Sequence, residues 1–89
     1  MKKHFAIKIT GKVQGVFFRH EAKQLCESIG VTGFVRNEPD GSVYIEAEGP
    51  EDTLRALVSW CYDGTEGAQV EHVEVREGDI QNFKNFFIN

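Results

Sequence analysis

Between Phe5 and Ile29 the apolar residues change their spacing once, and the change falls across a glycine-bounded loop. Phe5, Ile7 and Ile9 are separated by Ala6 and Lys8 and followed by Thr10, which is the period of two expected of a half-buried strand ending at Gly11. From Phe18 onward, Ala22, Leu25, Cys26 and Ile29 recur at offsets of three, four and seven. That spacing predicts an amphipathic helix over 18–29, stopped by Gly30, with 11–17 left as loop.

The same two periods continue along the chain. Val31–Asn37 is β-rich, Glu38-Pro39-Asp40-Gly41 is turn chemistry, and Ser42–Glu48 alternates again, so the pair forms a hairpin. Gly49-Pro50-Glu51-Asp52 opens a second helix with Leu54, Leu57, Val58 and Cys61 on one face, ending near Asp63-Gly64. Gln69–Arg76 reads as a strand in which Val70 and Val73 break the parity of two, which predicts a bulge. Phe83–Ile88 is a short final strand. The order is βαββαβ with a short extra C-terminal strand: an α+β, ferredoxin-like α/β sandwich with two helices on one face of a mainly antiparallel sheet and the other face open. Eighty-nine residues hold one core, so 1–89 is expected to be a single domain exposing about 5,300 Å² when folded.

Composition limits the function. No apolar run is long enough to cross a membrane, and Lys8 breaks the stretch after the basic start, so neither a signal peptide nor a membrane is expected and the chain is assigned to the cytoplasm. The net charge of −4 is unevenly spread: Lys2, Lys3, Lys8, Lys12, Arg19, Lys23 and Arg36 face only Glu21 and Glu27 before residue 38. A basic amino-terminal part on an acidic chain suits a small anion better than a long polyanion. On the second strand of the hairpin, Tyr44, Glu46 and Glu48 share one face. Two carboxylates there repel a nucleic-acid backbone, and no nucleic-acid partner is expected. Cys26 and Cys61 are expected as buried free thiols. His4, His20 and His72 lack ligand spacing, so no metal or other cofactor is expected.

The segment Gly11-Lys12-Val13-Gln14-Gly15-Val16-Phe17-Phe18-Arg19 is where chemistry is most concentrated. Its glycines permit a backbone that turns successive N–H groups inward as an anion nest, and the following helix adds its positive end. Arg19 offers a bidentate grip on a phosphate. From the residues alone, a plain tight turn and a solvated arginine fit as well. The segment lacks the spacing of a Walker loop or a dinucleotide fingerprint.

This segment resembles the first signature of the acylphosphatases, G-x-V-Q-G-V-x-F-R. Gly33-Phe-Val-Arg-Asn37, followed by Gly41-Ser-Val43 and Gly49, is similar to their second. Trp60, Gly64, Ala68, Val70 and the closing Phe86-Phe-Ile88 also agree. The resemblance implies hydrolysis of a small-molecule acyl phosphate to a carboxylate and inorganic phosphate by a monomer that needs no metal or cofactor. It implies that Gly11, Lys12, Val13, Gln14, Gly15, Val16 and Phe17 form the substrate loop, that Arg19 holds the phosphoryl group, and that Asn37 holds the attacking water. Without it, Asn37 reads first as a turn residue before Glu38-Pro39-Asp40-Gly41.

Two departures from the family pattern bear on rate: Ala22 and Glu38 stand where threonine is frequent. Glu38 puts a carboxylate beside the water holder. Alternation sends it to the opposite face, yet Glu38→Thr is expected to raise turnover or affinity. Phe17 occupies a position that is often small, where it narrows the mouth or stacks on an aromatic acyl group. A phosphate-binding domain without turnover is the competing reading, which Arg19 and Asn37 oppose.

Overall fold

A computed structural model describes residues 1–89. Its elements are β1 (Lys2–Lys12), α1 (Phe18–Ile29), β2 (Thr32–Asn37), β3 (Val43–Pro50), α2 (Glu51–Asp63), β4 (Gln69–Gly78) and β5 (Phe86–Ile88). The sheet order is β4-β1-β3-β2-β5. Neighbours are antiparallel except β2 and β5, which run parallel. This is the ferredoxin-like sandwich that the periods predict.

Register follows from the apolar alternation. Ile7 lies opposite Ile45 and Ile9 opposite Val43, and all four are fully buried with Ala22, Cys26, Leu54, Leu57 and Cys61 of the two helices. A slip of one residue would expose every one of these strand side chains, so burial fixes the pairing. The folded chain exposes 5151 Å², close to the size expectation. Cys26 and Cys61 are free and buried in this core; burial pushes the Cys26 thiol up to about 12 and raises Cys61 as well. No helix is long and apolar enough to cross a membrane.

The predicted bulge is present. Thr10 pairs with His72 but Gly11 pairs with Val70, leaving Glu71 as the extra residue of β4, which returns Val70 and Val73 to the same side. Only glycine fits at position 11: its φ is 124°, and a Cβ there would sit 2.2 Å from the Gln69 carbonyl oxygen. Because of this pairing β1 continues to Lys12, and the loop before α1 is shorter than expected, 13–17.

Two expectations are corrected at the carboxy-terminal end. The final strand starts at Phe86 rather than Phe83, and the face away from the helices is covered at one end. β4 and β5 are the two edges of the sheet, so residues 79–85 must cross it. They do so over Glu48, which accepts the N–H of Gln81 and, at 3.1 Å, the N–H of Phe83. The Phe83 ring lies 5.9 Å from the His4 ring and 5.8 Å, edge-on, from Phe34. Glu48 is fully buried and also meets Nδ1 of His4 at 2.7 Å. Burial pushes its carboxyl upward, but the donors from Gln81, His4 and Phe83 hold it below the usual carboxylate range.

Candidate active site

The loop between β1 and α1 has an alternating backbone. Gly15 (φ 74°) and Phe17 (φ 64°) are left-handed, while Val16 between them is not. Alternating hand points successive N–H groups to one side and makes an anion-binding concavity. No backbone N–H from Gln14 to His20 donates to a protein acceptor, so these donors are free for a ligand at the positive end of α1.

Two side chains hold the loop from behind. Thr65, buried in the connection between α2 and β4, donates its hydroxyl to the Val16 carbonyl at 2.6 Å. In a trans peptide the N–H points opposite to the C=O, so this bond turns the Phe17 N–H away from Thr65. Gln14 donates Nε2 to the carbonyls of Glu38 at 2.8 Å and Ser42 at 2.9 Å, which ties the loop to the β2–β3 turn. That turn is itself fixed by Asp40, which accepts the Ser42 hydroxyl at 2.6 Å and the Ser42 N–H at 2.9 Å. These bonds, with Lys8 at 3.0 Å, hold the Asp40 carboxyl well below its ordinary range.

Arg19 lies in the first turn of α1 and forms no ion pair with a carboxylate. Asn37 is the last residue of β2, opposite Val43. Its Oδ1 is buried without a hydrogen-bond partner, an exception in a folded protein and one that marks a place for a ligand or water. Of the residues singled out in the sequence, Val13, Gly15, Phe17, Arg19 and Asn37 line one cavity of about 340 Å³. Phe18, His20 and Ile88 complete its wall. Ile88 belongs to the closing segment that agrees with the family pattern, but its place in this wall has no local signal, because it arrives through the parallel pairing of β5 with β2. Gly11 and Lys12 do not line the cavity; they belong to the bulged end of β1. Gln14 and Val16 also stand outside its wall and shape the loop instead.

Glu38 points where alternation sends it. Its carboxylate is 3.1 Å from Arg36 Nε, and the Arg36 guanidinium lies 4.8 Å from the Tyr44 ring centre, on the face away from the helices. The carboxylate that the sequence places next to Asn37 is therefore neutralised on the other side of the sheet. On that face Tyr44 donates to Glu46 at 2.7 Å, and its hydroxyl is pushed up to about 12 by burial and by Glu46.

The acylphosphatase family model matches residues 5–88. The chain belongs to the acylphosphatase family. It is 44% identical over 86 residues to the acylphosphatase of a Nocardioides species, covering 97% of this chain and 87% of that one. Its fold is similar to the acylphosphatase of Coxiella burnetii, with a TM-score of 0.96 and 31% identity, covering 99% of this chain and 93% of the other. It is equally similar to the acylphosphatase of Bacillus subtilis, with a TM-score of 0.95 and 32% identity over 100% and 99% of the two chains. The activity of the chain is the family's: hydrolysis of the carboxyl–phosphate bond of acyl phosphates, giving a carboxylate and inorganic phosphate.

Proposed function

We propose that Arg19 and the backbone N–H groups of the 13–17 loop and the start of α1 hold the phosphoryl group, and that Asn37 positions the attacking water. The observation that carries this reading is the buried, unpartnered Asn37 Oδ1 in the same cavity wall as Arg19 and Gly15. The loop N–H groups, the helix end and the guanidinium all favour charge on the equatorial phosphate oxygens, which is most of what phosphoryl transfer asks of a protein. Asn37 Oδ1 accepts a hydrogen bond from the water. The water oxygen forms a bond to phosphorus as the bond to the acyl oxygen breaks, and the electron pair departs with the carboxylate. The water's proton passes to a phosphate oxygen, leaving a carboxylate and dihydrogen phosphate. A carboxylate leaves without protonation, so the step needs no general acid.

This reading takes 1–89 as one domain acting as a monomer, in keeping with a single core cluster of 17 buried residues. The free Cys26 and Cys61 suit a reducing compartment such as the cytoplasm. Phosphorus NMR titration of inorganic phosphate tests the division of roles: Arg19→Gln is expected to lose binding, and Asn37→Ala to keep it. Unchanged affinity in the arginine variant would remove Arg19 from its place.

A further inference from the structure

Phe17 carries a cost that the loop does not explain. Its backbone is left-handed, at φ 64° and ψ 19°, a region disfavoured for a bulky side chain. The nest requires that conformation, but glycine supplies it freely, as Gly15 does two residues earlier. Phe17 also occupies the N-cap of α1, where a serine, threonine or aspartate oxygen would satisfy a helix N–H, and it forms no side-chain cap. Burial does not offset these costs, because the side chain is 77% exposed. Backbone, capping and packing all favour another residue at position 17.

What the ring does have is a position. It stands in the wall of the cavity that Arg19 and Asn37 line, where Val13 and Phe18 are buried and Ile88, 40% exposed, is the other exposed apolar side chain. With the phosphoryl group against the nest, the acyl part of the substrate extends toward the exposed side chains. We infer that Phe17 selects the acyl group: its ring lies against a flat, apolar acyl substituent, so that aromatic acyl phosphates are used in preference to short aliphatic ones. This rests on the phosphate-binding assignment above and adds the substrate class of the same site. Strained backbone at a functional position, held in place by a surrounding structure that fixes it, is the expected context for such a residue.

The test compares kcat/KM for benzoyl phosphate and acetyl phosphate in the wild type, Phe17→Gly and Phe17→Tyr, with inorganic phosphate as competitive inhibitor. Phe17→Gly is expected to lower the benzoyl-to-acetyl ratio by about 10-fold or more, mainly through KM. Phe17→Tyr, which keeps the ring, should restore the ratio. Phe17→Gly should also melt at a higher temperature, since it relieves the backbone. An unchanged ratio with intact inhibition by phosphate overturns the proposal alone. A parallel loss of kcat on both substrates also overturns it, because the ring would then be closing the site rather than choosing the substrate. Absence of phosphate inhibition in the wild type overturns the phosphate-binding assignment and this proposal with it.

Discussion

The hydroxyl of Thr65 donates to the Val16 carbonyl at 2.6 Å, joining the connection before β4 to the loop before α1. Thr65 is 5% exposed, so the bond is sheltered from water and sets the plane of the Val16–Phe17 peptide. Its partner is backbone, and it orients the Phe17 N–H, one of the proposed phosphate donors.

Thr65→Val keeps the side-chain shape and removes the donor. The Val16 carbonyl is then left short of a partner, at a cost of about 1–3 kcal/mol in stability. Because the Phe17 N–H loses its guide, inhibition by inorganic phosphate should weaken by about 10-fold, and Thr65→Ser should restore it. Urea unfolding and phosphate inhibition measured on the same samples check both effects. A stability loss with unchanged phosphate affinity would limit Thr65 to a structural role.

The position of Glu38 changes the expectation that its sequence neighbours suggest. With its carboxylate 3.1 Å from Arg36 on the far face, it stands outside the cavity that Asn37 lines. A partly exposed surface pair of this kind is worth about 1 kcal/mol or less. Glu38→Thr should therefore leave kcat/KM for benzoyl phosphate within about threefold of the wild type. A rise of an order of magnitude would restore the view that the carboxylate repels substrate.

Glu48 makes stability depend on pH. Burial raises its carboxyl, but the N–H of Gln81, the His4 ring and the N–H of Phe83 outweigh that and leave it depressed in the folded state. A depressed carboxyl contributes stability above its unfolded value, and loses it as pH falls through its folded value. Stability should therefore start to fall as pH drops into the usual carboxylate range and go on falling until pH passes the depressed folded value, with the 79–85 crossing released first. Glu48→Gln should cost about 1–3 kcal/mol at neutral pH and flatten the acid limb. Urea midpoints measured between pH 7 and the acid limb decide it, and an unaltered acid limb in the variant contradicts the assignment.

Local features were the legible ones. The change of period at Gly11, the stop at Gly30 and the broken parity of Val70 and Val73 each follow from neighbours in sequence, and each stands in the structure, the last as the bulge at Glu71. Arg19, Gly15 and Asn37 were singled out through the resemblance of 11–19 and 33–49 to the acylphosphatase signatures, because the residues by themselves also fit a tight turn, a solvated arginine and a turn asparagine. Thr65 was not, because a threonine that bonds a distant carbonyl looks like any loop threonine. Ile88 reaches the cavity only through a parallel pairing between β2 and β5, which no local pattern announces. The crossing over Glu48 was missed for a related reason. Phe83 is apolar enough to read as strand, yet its N–H is committed to a carboxylate and its ring to His4 and Phe34.

The most direct measurement is continuous hydrolysis of benzoyl phosphate in the presence of chelator by the wild type, Arg19→Gln and Asn37→Ala, each shown to be folded. Turnover is expected from the wild type, none detectable from Arg19→Gln, and a fall of about two to three powers of ten in kcat from Asn37→Ala. Wild-type rates in either variant would contradict that expectation, since the chemistry would then be carried by residues other than the arginine and the unpartnered asparagine that share the cavity.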